Sequence, residues 1–282
     1  MDFGRPGDAV DRLIRLALDE DVGPGDRTAE AVVPAGVRGS GLLFAKESLI
    51  VSGVSAAARV FLALDPQAHL EALRNEGDAA GPGAGVLRVK ASLRAILTGE
   101  RTALNLLQRL CGIATLTRKY VQALEGTKTR LLDTRKTTPG MRALEKAAVR
   151  AGGGTNHRGA LFDGFLVKDN HAATAGGIGE AVRRAVAAAG PLMKVEAEVS
   201  TPGQIEEALK AGAQMLLLDN LGDAELAQAV AQVNGRVPLE ASGGMTLERL
   251  PRVAAAGVDY VSVGALTHSA PSVDLSLLVE GA

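Results

Sequence analysis

The chain of 282 residues contains no tryptophan, two tyrosines and five phenylalanines. Proteins that bind single-stranded nucleic acid stack bases on exposed aromatic rings, so this scarcity speaks against that class. Excess charge of either sign is also missing: 31 Lys and Arg against 32 Asp and Glu leave a net charge of −1. Without a broad positive field, any basic site has to be local. A single cysteine, Cys111, excludes an internal disulfide framework and a cysteine-rich metal site. No uncharged apolar run approaches the ~18–20 residues of a membrane span. The opening Met1-Asp2-Phe3-Gly4 has neither the basic nor the apolar segment of a secretory leader. The expectation is a cytoplasmic protein with no nucleic-acid or membrane partner.

Familiar catalytic signatures are absent as well. No Gly-x-x-x-x-Gly-Lys-Ser/Thr loop, dinucleotide-binding Gly-x-Gly-x-x-Gly, His-Glu-x-x-His helix or Gly-x-Ser-x-Gly elbow occurs. ATPase, dinucleotide oxidoreductase, zinc peptidase and serine hydrolase chemistries are correspondingly weak readings.

What is present is ample hydrophobic content, 46%, and 34 glycines at informative places. Up to about residue 110 the pattern is mixed, with a helix over Ala9–Asp19 and strands near Gly41–Ala45, Ser48–Val51 and Val86–Ile96. This reads as an α+β layer with an antiparallel sheet. A long helix, Gly99 to Glu125, then puts Leu104, Leu107, Cys111 and Ala114 on one face and Arg101, Asn105 and Gln108 on a polar stripe. Strands follow near Arg130, Gly164, Met193, Met215, Val237 and Asp259, the last three intervals being 22 residues each. Helices over Pro139–Ala151, Ile178–Ala189, Pro202–Ala211, Asp223–Val233 and Leu247–Ala256 fill the gaps. Repeated β-then-α units make parallel strands, either an open sheet or an incomplete barrel.

Polar residues gather after the strands, where β/α barrels keep their chemistry. Arg135, Lys136, His157, Arg158 and Lys168 place up to five cations within 34 residues of a neutral chain, suited to a small, highly charged anion. Glu198 and Asp219 are the counterpart on neighbouring strands. Their spacing of 21 residues in a 22-residue repeat predicts nearly equal height. Such carboxylates can hold Mg²⁺ through water or sugar hydroxyls, or face a developing positive charge on a sugar carbon. Ser242-Gly243-Gly244 and Gly264-Ala265 follow late strands, where backbone N–H groups often bind phosphate. Lys194 and Glu196 read as a structural ionic cluster inside the barrel, Cys111 as core, and His69 as without a role.

Three longer stretches carry a specific resemblance: Asp133 to Arg142 (DTRKTTPGMR), Gly152 to Arg158 (GGGTNHR) and Val167 to His171 (VKDNH). With Glu20–Thr28, Gly99–Asn105, Val195–Val199, Leu218–Asn220 and Glu240–Gly244, they run in order through nearly the whole chain. The sequence resembles the quinolinate phosphoribosyltransferases, also called nicotinate-nucleotide pyrophosphorylases (carboxylating). The resemblance implies an α/β fold, with an N-terminal α/β sandwich domain over residues 1–110 and a partly open, seven-stranded β/α barrel over 111–269. A tail, 270–282, returns to the first domain. It implies a pentosyltransferase of de novo NAD biosynthesis that converts quinolinate and phosphoribosyl pyrophosphate to nicotinate mononucleotide, pyrophosphate and CO₂ with Mg²⁺. It also implies a homodimer or higher assembly with shared sites. Carried over residue by residue, Arg135, His157, Arg158 and Lys168 match positions that hold quinolinate, and Arg101 matches an arginine donated by the partner subunit. Lys136 matches a lysine on phosphoribosyl pyrophosphate, and Glu198 and Asp219 match the acidic pair near the ribose and Mg²⁺. Ser242, Gly243, Gly264 and His268 match the 5′-phosphate pocket. Cys111, Ala147 and Ala197 depart from the residues usual in the family, which touches packing only. The rival readings are a phosphoribosyltransferase-like relative of molybdenum uptake and a non-catalytic binder of phosphorylated metabolites.

Overall fold

The computed structural model describes residues 8–280. The opening residues read above for a leader lie outside that range, as do the last two of the tail. The described chain forms two compact units. One takes the residues up to Arg118, then Thr137–Gly153 and the stretch from Leu266 onward. The other takes Lys119–Lys136 and Gly154–Ala265, so the division in space is not a single cut near residue 110.

The first unit opens with α1 (Ala9–Val22), capped by the Asp8 carboxylate on the Val10 and Asp11 N–H groups, and α2 (Arg27–Val32), capped likewise by Asp26. Strands β1 (Arg38–Ala45) and β2 (Leu49–Ile50) precede α3 (Val54–Leu64), a helix that sequence periodicity misses. Its run of alanine, valine, leucine and phenylalanine carries only Ser55 and Arg59 as polar marks, too few to trace a stripe in the sequence, and six of its residues are buried. Next come β3 (His69–Ala72), β4 (Ala79–Ala80), β5 (Gly85–Ser92) and α4 (Leu93–Gln122). The expected strand through Ile96 stops at Ser92 and the helix takes over at Leu93. Leu104, Leu107, Cys111 and Ala114 are buried as the stripe requires, while Arg101 and Asn105 are exposed.

The β/α succession then runs β6 (Arg130–Leu132), α5 (Arg142–Ala151), β7 (Phe165–Val167), α6 (Asp169–Ala175) and α7 (Ile178–Ala188). It continues with β8 (Val195–Val199), α8 (Pro202–Lys210), β9 (Met215–Asp219) and α9 (Asp223–Val233). β10 (Leu239–Ser242), α10 (Leu250–Ala255), β11 (Tyr260–Ser262), α11 (Ala265–His268) and β12 (Leu275–Glu280) complete it. Pro202 opens α8 as expected. Pro139 stays outside α5, which starts at Arg142 after Thr138 has donated its N–H to the Glu145 carboxylate. The short α6 is unforeseen, because its sequence reads as the polar end of the preceding strand.

In the first unit β12, β1, β5 and β3 make an antiparallel sheet in that order, so the tail does return to the first strand, with Leu275 opposite Ala45. In the second unit six parallel strands stand in the order β6-β11-β10-β9-β8-β7. A lone parallel bridge joins Leu132 to Thr155 on the free side of β6, where a seventh strand would run. Among the described residues β6 and β7 remain the sheet's edges, so this is a barrel left open. Its core is the row of leucines, valines and alanines on β8, β9 and β10.

Candidate functional site

The C-terminal strand ends of the second unit surround a cavity of about 600 Å³. Its walls include Arg135, Lys136, His157, Arg158, Lys168, Glu198, Asp219, Ser242 and Gly243, nine of the residues singled out in the sequence. Arg101, Gly264 and His268 do not line it. Arg101 is exposed on α4, and His268 is exposed with Nδ1 against the Ser269 hydroxyl at 2.6 Å. Gly244, expected in the phosphate turn, lines it too, and Thr134, Asn220, Glu240 and Ser262 do so without having been given a role of their own. Glu240 left one signal, an acid in the middle of an apolar strand between Leu239 and Ala241.

Strand register sets the height of each acid. Glu198 stands abreast of Leu217, and Leu217 abreast of Glu240. Asp219 is therefore two residues further along than Glu198, roughly 6.6 Å higher toward the mouth, and level with Ser242. The nearly equal height expected from the 22-residue interval does not hold, because β9 begins in register with Glu196 after an interval of 19. Both acids still face one cavity, since two residues along a strand restore the same face. As oxygen donors at different heights they suit Mg²⁺ reached through its water or through substrate oxygens. Glu198 also takes an ion pair from the Lys168 ammonium at 3.1 Å, and Asp219 accepts from the Asn220 side chain at 2.9 Å.

The cationic wall is the least satisfied part of the site. Arg135 has a buried Nε with no hydrogen-bond partner. Arg158 gives one Nη to the Gly164 carbonyl at 3.0 Å. Burial, and then the neighbouring positive charge of Arg135, lower the Arg158 pKa. Two guanidinium groups crowded together with an unmatched donor make a receptor for an anion with several oxygens.

Beneath them lies an acidic floor. Glu196 and Glu240 are buried and both approach His157 Nε2, at 3.2 and 3.4 Å. Lys194, expected to share an ionic cluster with Glu196, is exposed and precedes β8. The histidine takes its place. Burial pushes the ring toward neutrality, and the hydrogen bonds to Glu196 and Glu240 pull its pKa upward. The other side of the ring limits that pull: Nδ1 accepts the Arg158 backbone N–H at 2.7 Å, so it has to stay a bare acceptor. From that contact we read the ring as neutral, its proton on Nε2. Burial first, then the charge of Glu240, raises the pKa of Glu196.

The glycine turn is equally specified. Gly243 has φ +89, and a Cβ there would lie 2.0 Å from the Asn220 side-chain oxygen. Only glycine allows this turn beside Asn220, itself left-handed at φ 54 and donating its N–H to the Ser242 carbonyl at 3.0 Å.

An open β/α barrel with cations, carboxylates and a glycine turn at its strand ends belongs to the class of barrel enzymes that handle small phosphorylated anions. Within that class the assignment is specific. The description "Quinolinate phosphoribosyl transferase, N-terminal domain" matches residues 26–111, and "Quinolinate phosphoribosyl transferase, C-terminal domain" matches residues 113–278. The chain belongs to this family. It is 43% identical over 279 residues to the nicotinate-nucleotide pyrophosphorylase (carboxylating) of Mycobacterium leprae, covering 96% of this chain and 97% of that protein. With a quinolinate phosphoribosyltransferase (decarboxylating) of Nicotiana tabacum the identity is 39%, over 95% of this chain and 81% of the other. The structure of the nicotinate-nucleotide pyrophosphorylase from Francisella tularensis superposes with a TM-score of 0.92 at 39% identity, covering 98% of each chain.

Proposed function

We infer that the protein transfers the phosphoribosyl group of phosphoribosyl pyrophosphate to the ring nitrogen of quinolinate, releasing pyrophosphate and CO₂ and leaving nicotinate mononucleotide for NAD synthesis. The observation that carries this reading is the Arg135–Arg158 wall. A buried, unmatched Nε beside a second guanidinium calls for a ligand with more than one anionic group. A pyridine dicarboxylate answers it, whereas a monocarboxylate leaves donors without acceptors. The carboxylates Glu198 and Asp219 lining the same cavity support transfer over mere binding, because phosphate recognition alone has no use for acids facing it.

The chemistry asked of the chain is positioning and electrostatics. Arg135, Arg158 and Lys168 hold the dicarboxylate, and Lys136 steadies the pyrophosphate end of the second substrate. Glu198 and Asp219 oppose the positive charge that grows on the sugar carbon as pyrophosphate departs. Ser242 and Gly243 offer a hydroxyl and a turn to the 5′-phosphate. Glu198 and Asp219 would hold Mg²⁺ through its water or substrate oxygens, and the ion would supply positive charge to the pyrophosphate group. Loss of CO₂ from the nucleotide is aided by the positive pyridinium nitrogen. Arg101, exposed on α4, suits donation to the site of a second copy in a homodimer. The reading carries with it the cytoplasmic location expected from the sequence. Among the described residues no helix is long and apolar enough to cross a membrane.

The test is a coupled assay with phosphoribosyl pyrophosphate, Mg²⁺ and either quinolinate or nicotinate, following mononucleotide and CO₂. Quinolinate is expected to give both products and nicotinate little of either. Equal turnover of nicotinate would overturn the dicarboxylate assignment, and no product from either would favour a silent binder.

A further inference from the structure

We propose that Glu240 and Glu196 are positioning residues: through the His157 ring they fix the peptide that carries Arg158 and so aim its guanidinium at a substrate carboxylate. The proposal rests on the quinolinate reading above, but its geometry stands on its own. Glu240 is 0% exposed, and neither of its carboxylate oxygens has a hydrogen-bond partner beyond the approach of His157 Nε2. One oxygen of Glu196 is likewise buried without a partner. Two buried acids around a single ring N–H are costly, and an apolar residue on β10 would pack there at less cost. Across the ring, Nδ1 accepts the Arg158 N–H. The buried Asp133 takes the His157 N–H at 2.8 Å and the Asn156 amide at 2.6 Å. The stretch Asn156-His157-Arg158 is thus tied at the Asn156 amide and at the His157 and Arg158 N–H groups, and the Arg158 guanidinium is anchored on the Gly164 carbonyl at 3.0 Å.

A histidine and two carboxylates whose ligand atoms lie within 4.8 Å of one another also have the composition of a metal site. The Nδ1 contact argues against an ion. A metal on Nε2 would leave the ring with no proton at all, whereas histidine ligands keep an N–H on the second nitrogen and donate it. The site holds a proton on Nε2, and the acids select that tautomer.

The experiment compares wild-type protein with the E240A and E240Q variants. Saturation kinetics with each substrate varied in turn, and the ¹⁵N resonances of labelled histidine, are recorded for each. E240A is expected to raise the quinolinate KM by ~10–100-fold, the usual effect of losing an outer partner that orients a ligating group. The KM for phosphoribosyl pyrophosphate should stay within about twofold. E240Q keeps an acceptor oxygen for Nε2–H and should recover most of the loss. In the wild type, His157 Nδ1 is expected to resonate as an unprotonated acceptor and Nε2 as a protonated nitrogen. Equal changes in both KM values, an unchanged quinolinate KM, or a wild-type ring protonated on Nδ1 would overturn the proposal. If the wild-type protein turns over no quinolinate, the functional reading fails, and the histidine spectrum still decides the tautomer. If E240A does not fold, E240Q and the wild-type spectrum carry the test.

Discussion

Arginines of the two compact units differ in how completely their donors are matched. In the first unit Arg59 grips Asp8 and Asp11, Arg109 grips Glu145 and the carbonyls of Thr267 and Ala270, and Arg118 reaches the carbonyls of Gly77, Ala151 and Gly152. In the cavity of the second unit, Arg135 keeps a buried Nε without a partner, and Arg158 faces another cation. The residue type and the partial burial are alike, so neither separates a structural arginine from one waiting for a ligand. Hydrogen-bond accounting does, because a buried donor left unmatched costs free energy until something binds it.

The contrast can be broken most forcefully at Arg135 and Arg158. Replacing either with alanine should cost about 2–5 kcal/mol of ligand interaction, hence roughly 30- to 4,000-fold in kcat/KM for quinolinate. The melting temperature should hardly move. R109A should do the reverse. It leaves the fully buried Glu145 carboxylate without its charge partner, holding only the Thr138 donors, and denaturant titration should find a stability loss of about 3–5 kcal/mol, with normal activity in whatever fraction stays folded. A milder effect tests whether the site is shared. R101A and K136A, each inactive alone, should recover roughly a quarter of wild-type activity after random subunit exchange in a two-fold dimer. No recovery despite demonstrated exchange would confine the whole site to one chain. The smallest effect is at Cys111, whose thiol burial pushes up to about 12. At pH 8 it should resist iodoacetamide in the folded protein and react only in denaturant.

How much of this was legible beforehand follows physical lines. The repeating strand-then-helix rhythm located β6 to β11 because apolar strand runs and amphipathic helices differ in period. Glycine turns and cations marked one end of the strands as the site. The apolar α3 was not legible, since only Ser55 and Arg59 mark its outer face. Strand register was not legible either, which is why Asp219 stands above Glu198 instead of beside it. The partner of Glu196 could not be read from local alternation, because His157 reaches it from 39 residues earlier in the chain. Lys194 was close in sequence and wrong in space. Motif resemblance assigned nine cavity residues that spacing alone could only gather as candidates.

The most direct test of the unmatched-arginine account is a set of melting curves for wild type, R135Q and R109Q, each with and without quinolinate. Without ligand, R135Q should melt with the wild type and R109Q well below it. Quinolinate should raise the melting temperature of the wild type and of R109Q by similar amounts and leave R135Q where it was. A ligand-free R135Q that melts as low as R109Q, or an equal quinolinate shift in R135Q and wild type, would contradict it.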